Sequence, residues 1–201
     1  MTRICFVRHG ETDWNIELRL QGHIDLALNA QGKLQASAAA SRFSGCQAVA
    51  LYSSDLLRAR QTAGPIAEVL KIPMTLLPAL RERHFGRCEG LTLEEIFIRY
   101  EEDARAIERQ DADYAFPGQG ESRRQHQQRI LDCVDRLVAA HPGQTIVVVT
   151  HGGVLDVIYR KARNLPLEAP RDYPIPNAGL NWIVIDKGVW TIECWGDASH
   201  L

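Results

Sequence analysis

The sequence predicts an α/β fold: a three-layer sandwich whose central sheet is mostly parallel, with helices on both faces and a C-terminal hairpin at the edge. Strand-like runs alternate with helix-like stretches, which is the pattern of a parallel sheet covered on both sides. The apolar run 145–150 is rich in β-branched residues and lies between Pro-Gly and Gly-Gly, which indicates a strand buried on both faces. A chain of 201 residues that is 45% hydrophobic can build one well-buried core, so we expect a single domain over 1–201.

The chain begins with a predicted strand followed by a helix. Residues 2–7 form the first apolar run. Asn29 can cap a helix that continues to about Phe43, because its side-chain oxygen can accept from a free amide of the first turn. The spacing of Leu34 and Ala38 predicts the face of this helix that packs on the sheet.

A second strand and helix follow in the same order. The strand is expected at 48–53, and a helix over about 56–70 is expected to be capped by Asp55. Pro65 lies inside that helix and predicts a kink or a break, since proline lacks the amide hydrogen. A short third strand is predicted near 74–77.

The clearest helix covers 122–140. Ser122 and Gln125 form a capping box, apolar residues recur at helical spacing, and Pro142-Gly143 ends the helix.

The C-terminal part predicts one more helix and a hairpin. Gly152-Gly153 opens a helix that runs to about Arg163. The apolar runs 182–185 and 189–195 flank a turn of Asp186-Lys187-Gly188, which is typical of a hairpin at a sheet edge.

Residues 91–121 differ in charge from the rest of the chain. They carry nine acidic side chains against three arginines. We interpret them as a solvated pair of helices, a lid-like insertion between sheet elements. An acidic binding surface is the alternative.

The composition excludes several classes of protein. A formal net charge of −2 gives no basic surface for DNA or RNA. No apolar run reaches the length of a membrane span or resembles a signal peptide, so we expect a soluble, cytoplasmic protein. Five scattered cysteines without Cys-x-x-Cys spacing indicate reduced, mostly buried thiols.

Three strand ends carry residues suited to phosphate. Arg8-His9-Gly10 follows the first strand, Arg58 falls in the first helical turn after the second, and His151-Gly152 follows the strand at 145–150. The carboxyl ends of parallel strands meet at one edge of a sheet, so these side chains are expected to share a crevice. Two arginine forks, two imidazoles and a helix N-terminus match the oxygens of a phosphoryl group.

Taken together, four ordered motifs resemble the histidine phosphatase superfamily, in the branch that includes cofactor-dependent phosphoglycerate mutases and related phosphatases. They span almost the whole chain. The matching residues are Arg8-His9-Gly10-Glu11-Thr12 with Asn15, Ser53-Ser54-Asp55-Leu56 with Arg58, Gln61, Thr62 and Ala63, Leu80-Arg81-Glu82 with Phe85-Gly86 and Glu89-Gly90, and His151-Gly152-Gly153.

The resemblance implies roles for particular residues. His9 is expected to attack phosphorus and become a phosphohistidine, with its other ring nitrogen donating to a backbone carbonyl. Glu82 matches the proton donor. The resemblance implies neither a metal nor another cofactor. The remaining site residues are expected to hold the phosphate or the substrate: Arg8, Arg58, His151, Gly152, Asn15, Gln21 and Gly22.

Several other residues in or near these motifs have predicted roles of their own. His23 either stabilises a loop or contacts substrate. His84 is expected to pack within the protein, and the alternative is that it orients Glu82. Glu11 and Thr12 are expected to hold the turn after the first strand through hydrogen bonds to the backbone. Three arginines on one loop are candidates for substrate contact: Arg81, Arg83 and Arg87. Three histidines are expected on the surface: His126, His141 and His200.

Mutases of this family are longer, with a basic insertion, whereas residues 91–121 are acidic and lack lysine. An acidic wall would weaken the binding of a multiply charged phosphoglycerate. The sequence therefore favours a metal-independent hydrolase of a small phosphomonoester. One alternative is a cofactor-dependent phosphoglycerate mutase. The other is a non-catalytic phosphate- or phosphoprotein-binding module, and only this one is disfavoured by the presence of His9, Arg58, Glu82 and His151. We expect a monomer or a homodimer.

Overall fold

The computed structural model describes all residues, 1–201, and confirms the α/β class. One six-stranded sheet forms the centre. Its strands are β1 (Thr2–Arg8), β2 (Ala48–Ser53), β3 (Met74–Leu76), β4 (Thr145–Thr150), β5 (Leu180–Asp186) and β6 (Val189–Asp197), in the order β3-β2-β4-β1-β5-β6. The first four are parallel to one another, and the antiparallel hairpin β5-β6 extends the edge, as predicted.

The register of β1 against β4 places the two motif histidines side by side. Arg8 at the end of β1 is the partner of Thr150 at the end of β4. His9 directly follows β1 and His151 directly follows β4, so both lie at the same edge of the sheet. Residues 142 positions apart in sequence therefore meet, as the strand pattern predicted.

The chain forms seven helices, of which α2, α3, α6 and α7 pack on the sheet. The helices are α1 (Asp13–Ile16), α2 (Ala30–Ser41), α3 (Leu57–Leu70), α4 (Leu93–Arg99), α5 (Glu101–Glu108), α6 (Arg123–Ala140) and α7 (Gly152–Arg163). Buried residues of α6 and α7 pack in one apolar cluster with β1 and β4. Residues of α2 and α3 pack in a second cluster with the same strands. Because alternate side chains of β1 and β4 enter the two clusters, these strands are covered on both faces.

The packing face of α2 differs from the prediction. Asn29 caps it as expected, its side chain accepting from the Gly32 amide at 2.8 Å. Leu34, however, is 66% exposed, and the buried face consists of Gly32, Ala36, Ala39 and Ala40. Small residues let the helix come so near that a Cβ on Gly10 would lie 2.4 Å from the Gly32 oxygen. The turn after His9 is therefore held directly by α2.

The cap by Asp55 and the break at Pro65 that were predicted for α3 are both absent. Its first-turn amide, that of Leu57, is capped by Asp25 at 2.5 Å, while the Asp55 carboxylate binds the Arg81 guanidinium at 2.6 and 2.7 Å. The helix also runs unbroken through Pro65. A proline removes one hydrogen bond, and the buried residues around it hold the helix on the sheet.

Residues 91–121 carry α4 and α5, but the pair is less solvated than expected. Ile96, Ala104 and Phe116 are buried in a third apolar cluster with Cys88. The side chain of Asp103 is fully buried, and it accepts from Arg87 at 2.8 Å and from the Tyr114 hydroxyl at 2.6 Å.

All five cysteines are free thiols, three of them buried. None of the helices combines the length and the apolar character that a membrane crossing requires.

Candidate active site

A cavity of about 640 Å³ opens at the carboxyl edge of the sheet. His9 and Arg8 line it from the end of β1, Arg58 from α3, and Gly152 from the first residue of α7. Three segments that the sequence placed at strand ends therefore contribute to one crevice.

His9 is 3% exposed, and its tautomer follows from one hydrogen bond. Its Nδ1 lies 2.7 Å from the carbonyl oxygen of Gly10, which can only accept, so Nδ1 carries the proton and Nε2 has the free lone pair. This is the arrangement expected from the sequence. Burial, followed by the charges of Arg58 and Arg8, lowers the pKa of His9 well below its usual range. The ring is neutral at physiological pH and available as a nucleophile.

Arg8 and Arg58 are anchored by carbonyl oxygens and have no carboxylate partner. Arg8 donates to Ile175 at 2.6 Å. Arg58 is fully buried and donates to the carbonyls of Ile24 at 2.9 Å and Gly22 at 2.8 Å. Burial lowers the pKa of each guanidinium to about 10, so both stay charged at neutral pH. The Nε atoms of both are buried without a partner, which leaves donors for an anion.

His151 is fully buried beside His9, with ring centroids 5.2 Å apart. Its Nε2 is 2.8 Å from the hydroxyl of Ser54, and its Nδ1 is buried without a partner. Burial and the charge of Arg58 lower the pKa of His151 well below its usual range. The ring does not line the cavity, so the expected direct contact of His151 with phosphate is not seen.

Glu82 is held by two backbone amides. Its Oε1 accepts from the amide of Arg83 at 2.8 Å, and its Oε2 accepts from the amide of Gly153 at 2.9 Å. A carboxyl fixed at both oxygens, on the wall of the cavity that holds His9, is placed to exchange a proton with a bound ester.

Asn15 lines the cavity with its amide oxygen already engaged. Oδ1 accepts from the Thr12 amide at 3.0 Å and from Asn177 at 3.3 Å, so its amide nitrogen is free for an oxygen of the ligand. Asn177 also donates to the carbonyl of His9 at 3.0 Å. Sequence reasoning missed Asn177, because nothing in its local pattern distinguishes a loop asparagine.

Of the other expected substrate contacts, Gln21 lines the cavity and has a buried, unpartnered Oε1. Gly22 does not line it. Its carbonyl is occupied by Arg58, and its φ of +51° with Glu89 packed against it explains the glycine. Gly22 therefore acts on the site through Arg58.

The prediction that His126 lies on the surface is wrong. It is 3% exposed, lines the cavity, and has a buried, unpartnered Nε2. It packs beside Glu82, since a Cβ on Gly153 would lie 2.1 Å from Glu82 Oε1 and 3.3 Å from His126 Cε1. Burial lowers the pKa of His126 to about 4.

The two loop histidines have structural contacts. His23 binds the backbone carbonyl of Glu82 through Nε2 at 2.9 Å. His84 accepts from the Gly86 amide at 2.9 Å and has no hydrogen bond to the Glu82 carboxyl. His141 and His200 are half-buried, and each makes a hydrogen bond within the protein.

The cavity is basic, which corrects the expected acidic wall. Of residues 91–121, Gln110 alone lines it. Two carboxylates, Glu82 and Asp156, face seven arginines there: Arg8, Arg19, Arg58, Arg83, Arg123, Arg160 and Arg171. The acidic side chains of α4 and α5 therefore point elsewhere. Of the three candidate arginines, Arg83 reaches the cavity, whereas Arg81 and Arg87 bind Asp55 and Asp103.

A family model described as histidine phosphatase superfamily (branch 1) matches residues 4–198. The chain belongs to the histidine phosphatase superfamily. As a member, it is a phosphatase of the phosphoglycerate mutase-like type. No group of three or more histidine, cysteine, aspartate or glutamate side chains in this phosphatase converges as a metal site would.

Similar proteins cover nearly all of this histidine phosphatase. The Arabidopsis thaliana metal-independent phosphoserine phosphatase is 39% identical over 100% of this chain and 84% of its own. The phosphoglycerate mutase-like protein 4 of the same plant is 41% identical over 98% and 86%. Among solved structures, Bacillus stearothermophilus YhfR superposes with a TM-score of 0.92 at 33% identity, covering 100% of this chain and 99% of that one.

Proposed function

We propose that this phosphatase hydrolyses small phosphomonoesters without a metal, through a phosphohistidine on His9. One observation carries the proposal: the bond from Nδ1 to the Gly10 carbonyl leaves Nε2 of a neutral, buried imidazole as a nucleophile among uncompensated arginine charges. A site that only binds anions does not require a neutral histidine held in that tautomer.

In the first step, the lone pair of His9 Nε2 attacks phosphorus and the bond from phosphorus to the ester oxygen breaks. Protonated Glu82 gives its proton to the departing oxygen, so the product is a neutral alcohol. The new bond joins Nε2 to phosphorus.

In the second step, ionised Glu82 takes a proton from water as the water oxygen attacks phosphorus. The bond from phosphorus to Nε2 breaks and its electron pair returns to His9. Phosphate leaves, and Glu82 is protonated again for the next cycle.

The charge of the transferring group is met by side chains fixed before the ligand arrives. Arg8 and Arg58 are already anchored to carbonyl oxygens, so little reorganisation is needed when they bind phosphoryl oxygens. The first turn of α7 at Gly152 adds the positive end of a helix dipole. His151 packs beside His9 outside the cavity lining, where its role is to hold the His9 ring in place.

The test is to trap the intermediate. We expect a labelled phosphomonoester to leave an acid-labile, base-stable label on wild-type protein in a rapid quench, and none on His9→Ala. Hydrolysis is measured with and without a chelator. A label that persists in His9→Ala, or activity that the chelator abolishes, would contradict the mechanism.

The basic cavity favours a second candidate, a cofactor-dependent phosphoglycerate mutase, because seven arginines suit a bisphosphate intermediate. Interconversion of 2- and 3-phosphoglycerate with a bisphosphate primer is measured beside hydrolysis. Interconversion much faster than hydrolysis would establish the mutase. A protein that binds these esters and turns none over would be the binding module. Cytoplasmic location and the monomeric or dimeric state stay predictions from the sequence.

A further inference from the structure

His126 is a buried histidine of α6 that lines the catalytic cavity together with His9 and Glu82. Its side chain is 3% exposed, and its Nε2 is buried without a hydrogen-bond partner in the protein. A buried polar atom without a partner is unfavourable, so a molecule in the cavity that bonds this nitrogen is held there. The free nitrogen therefore points to a ligand of the cavity.

The charged groups that act on His126 already have partners of their own. Glu82 accepts one backbone amide at each carboxylate oxygen, at 2.8 and 2.9 Å. Arg129 binds Glu121 from Nε and Nη2 at 2.7 Å each. Arg83 donates to two backbone carbonyls, at 2.8 and 3.2 Å. None of these groups is a partner of the His126 nitrogen.

The edge of the His126 ring lies next to the carboxyl of Glu82. A Cβ on Gly153 would be 2.1 Å from Glu82 Oε1 and 3.3 Å from His126 Cε1, so the two side chains meet at Gly153. Cε1 is bonded to both ring nitrogens, which places Nε2 on this edge of the ring. A molecule that exchanges a proton with Glu82 is therefore close to His126.

The His126 ring is neutral under working conditions. Burial lowers the pKa of His126 to about 4, so the imidazole carries no charge at physiological pH. A neutral imidazole has one nitrogen that donates and one that accepts. With the proton on Nδ1, Nε2 accepts a hydrogen bond.

The attacking water has two O–H bonds, and Glu82 takes the proton of only one. The bond from the water oxygen to phosphorus forms while the bond from phosphorus to His9 Nε2 breaks and its electron pair returns to the ring. The second proton stays on the product phosphate. An acceptor for this second O–H fixes the orientation of the water during attack. An alcohol has a single O–H, which Glu82 takes, and gains nothing from a second acceptor.

We propose that Nε2 of His126 accepts the second O–H of the attacking water, and that His126 thereby selects water over alcohols as the acceptor of the phosphoryl group. This rests on the proposed function, because it concerns the breakdown of the phosphohistidine on His9. His126 then favours hydrolysis over transfer to another alcohol.

The test measures how the intermediate partitions between water and methanol, with p-nitrophenyl phosphate as donor. Inorganic phosphate and methyl phosphate arise from the same intermediate, so their ratio does not depend on how much protein is folded. His126→Phe should raise the ratio of methyl phosphate to phosphate about tenfold, the effect of one lost hydrogen bond. His126→Gln keeps an acceptor and should stay near wild type. His141→Phe is the matched control, since His141 does not line the cavity.

An unchanged ratio in His126→Phe would overturn the role of His126. Loss of transfer to both acceptors by the same factor would also overturn it, because the ring would then only support Glu82. His126→Leu gives the same reading if the phenylalanine does not fit.

Labelled phosphate on the protein separates this proposal from the proposed function. A label that forms on His9 and partitions alike in wild type and His126→Phe leaves the proposed function intact and removes the role of His126. Failure of wild type to form the label removes both.

Discussion

Gly153 and Glu82 approach so closely that no side chain fits between them. The Gly153 amide donates to Oε2 of Glu82 at 2.9 Å, and a Cβ on Gly153 would lie 2.1 Å from Oε1. The second residue of α7 thereby positions a carboxyl that belongs to the loop after β3. This contact links the His151-Gly152-Gly153 motif to the Leu80-Arg81-Glu82 motif, which are far apart in sequence.

Gly153→Ala should displace the Glu82 carboxyl and lower kcat on alkyl phosphates by about 10²-fold, the size of a lost general acid. The matched control is Gly64→Ala, because a Cβ on Gly64 meets nothing within 4 Å and alanine favours the helix. Steady-state kinetics of the two variants check this. Equal activity in both would show that Gly153 does not position Glu82.

Glu82→Gln should lower kcat on alkyl phosphates by about 10²- to 10⁴-fold, since an alkoxide leaves poorly without a proton. On p-nitrophenyl phosphate the loss should be much smaller, because p-nitrophenolate needs little protonation. The measurement is kcat on both esters for wild type and variant. An equal loss on the two would mean that Glu82 serves binding rather than proton donation.

Arg58→Lys should raise KM for phosphomonoesters about tenfold or more. A single ammonium cannot bind the carbonyls of Ile24 and Gly22 and also present a fork to phosphate. Arg105→Lys, at an exposed residue of α5, is the control and should behave as wild type. Inhibition by inorganic phosphate gives an independent reading, and an unchanged inhibition constant in Arg58→Lys would refute the assignment.

His126 should make the fold sensitive to acid. Its pKa is lowered to about 4 in the folded protein, against about 6.5 unfolded, so the unfolded state binds more protons between these values. The stability it contributes is complete above about pH 6.5 and is lost as pH falls toward 4. His9 and His151, whose pKa values are also lowered by burial, act in the same direction.

His126→Phe should therefore lose less stability than wild type between pH 7 and 5. Urea unfolding at the two pH values measures the difference, and His141→Phe, at a half-buried histidine, is the control. A loss in His126→Phe as large as in wild type would show that His126 does not carry this dependence.

The elements of the fold were predictable where a local pattern decides them. The capping box of Ser122 and Gln125, the β-branched run at 145–150 and the Asn29 cap all fall where the sequence placed them. The prediction that Asp55 caps α3 was wrong because Arg81, a residue distant in sequence, binds the Asp55 carboxylate instead. The predicted packing face of α2 was wrong because the helix lies so close to Gly10 that only small residues fit on its buried face, and Leu34 is exposed.

The sequence by itself determined the class of fold, the strand ends that carry His9, Arg58 and His151, and the family that these motifs indicate. Such features depend on near neighbours in the chain and on the fixed geometry of parallel strands. Only the tertiary structure decided that His126 is buried beside Glu82, that Gly22 holds Arg58, and that the cavity is basic although residues 91–121 are acidic. Those facts depend on which distant side chains pack together and which way each charge points, and no local pattern encodes either.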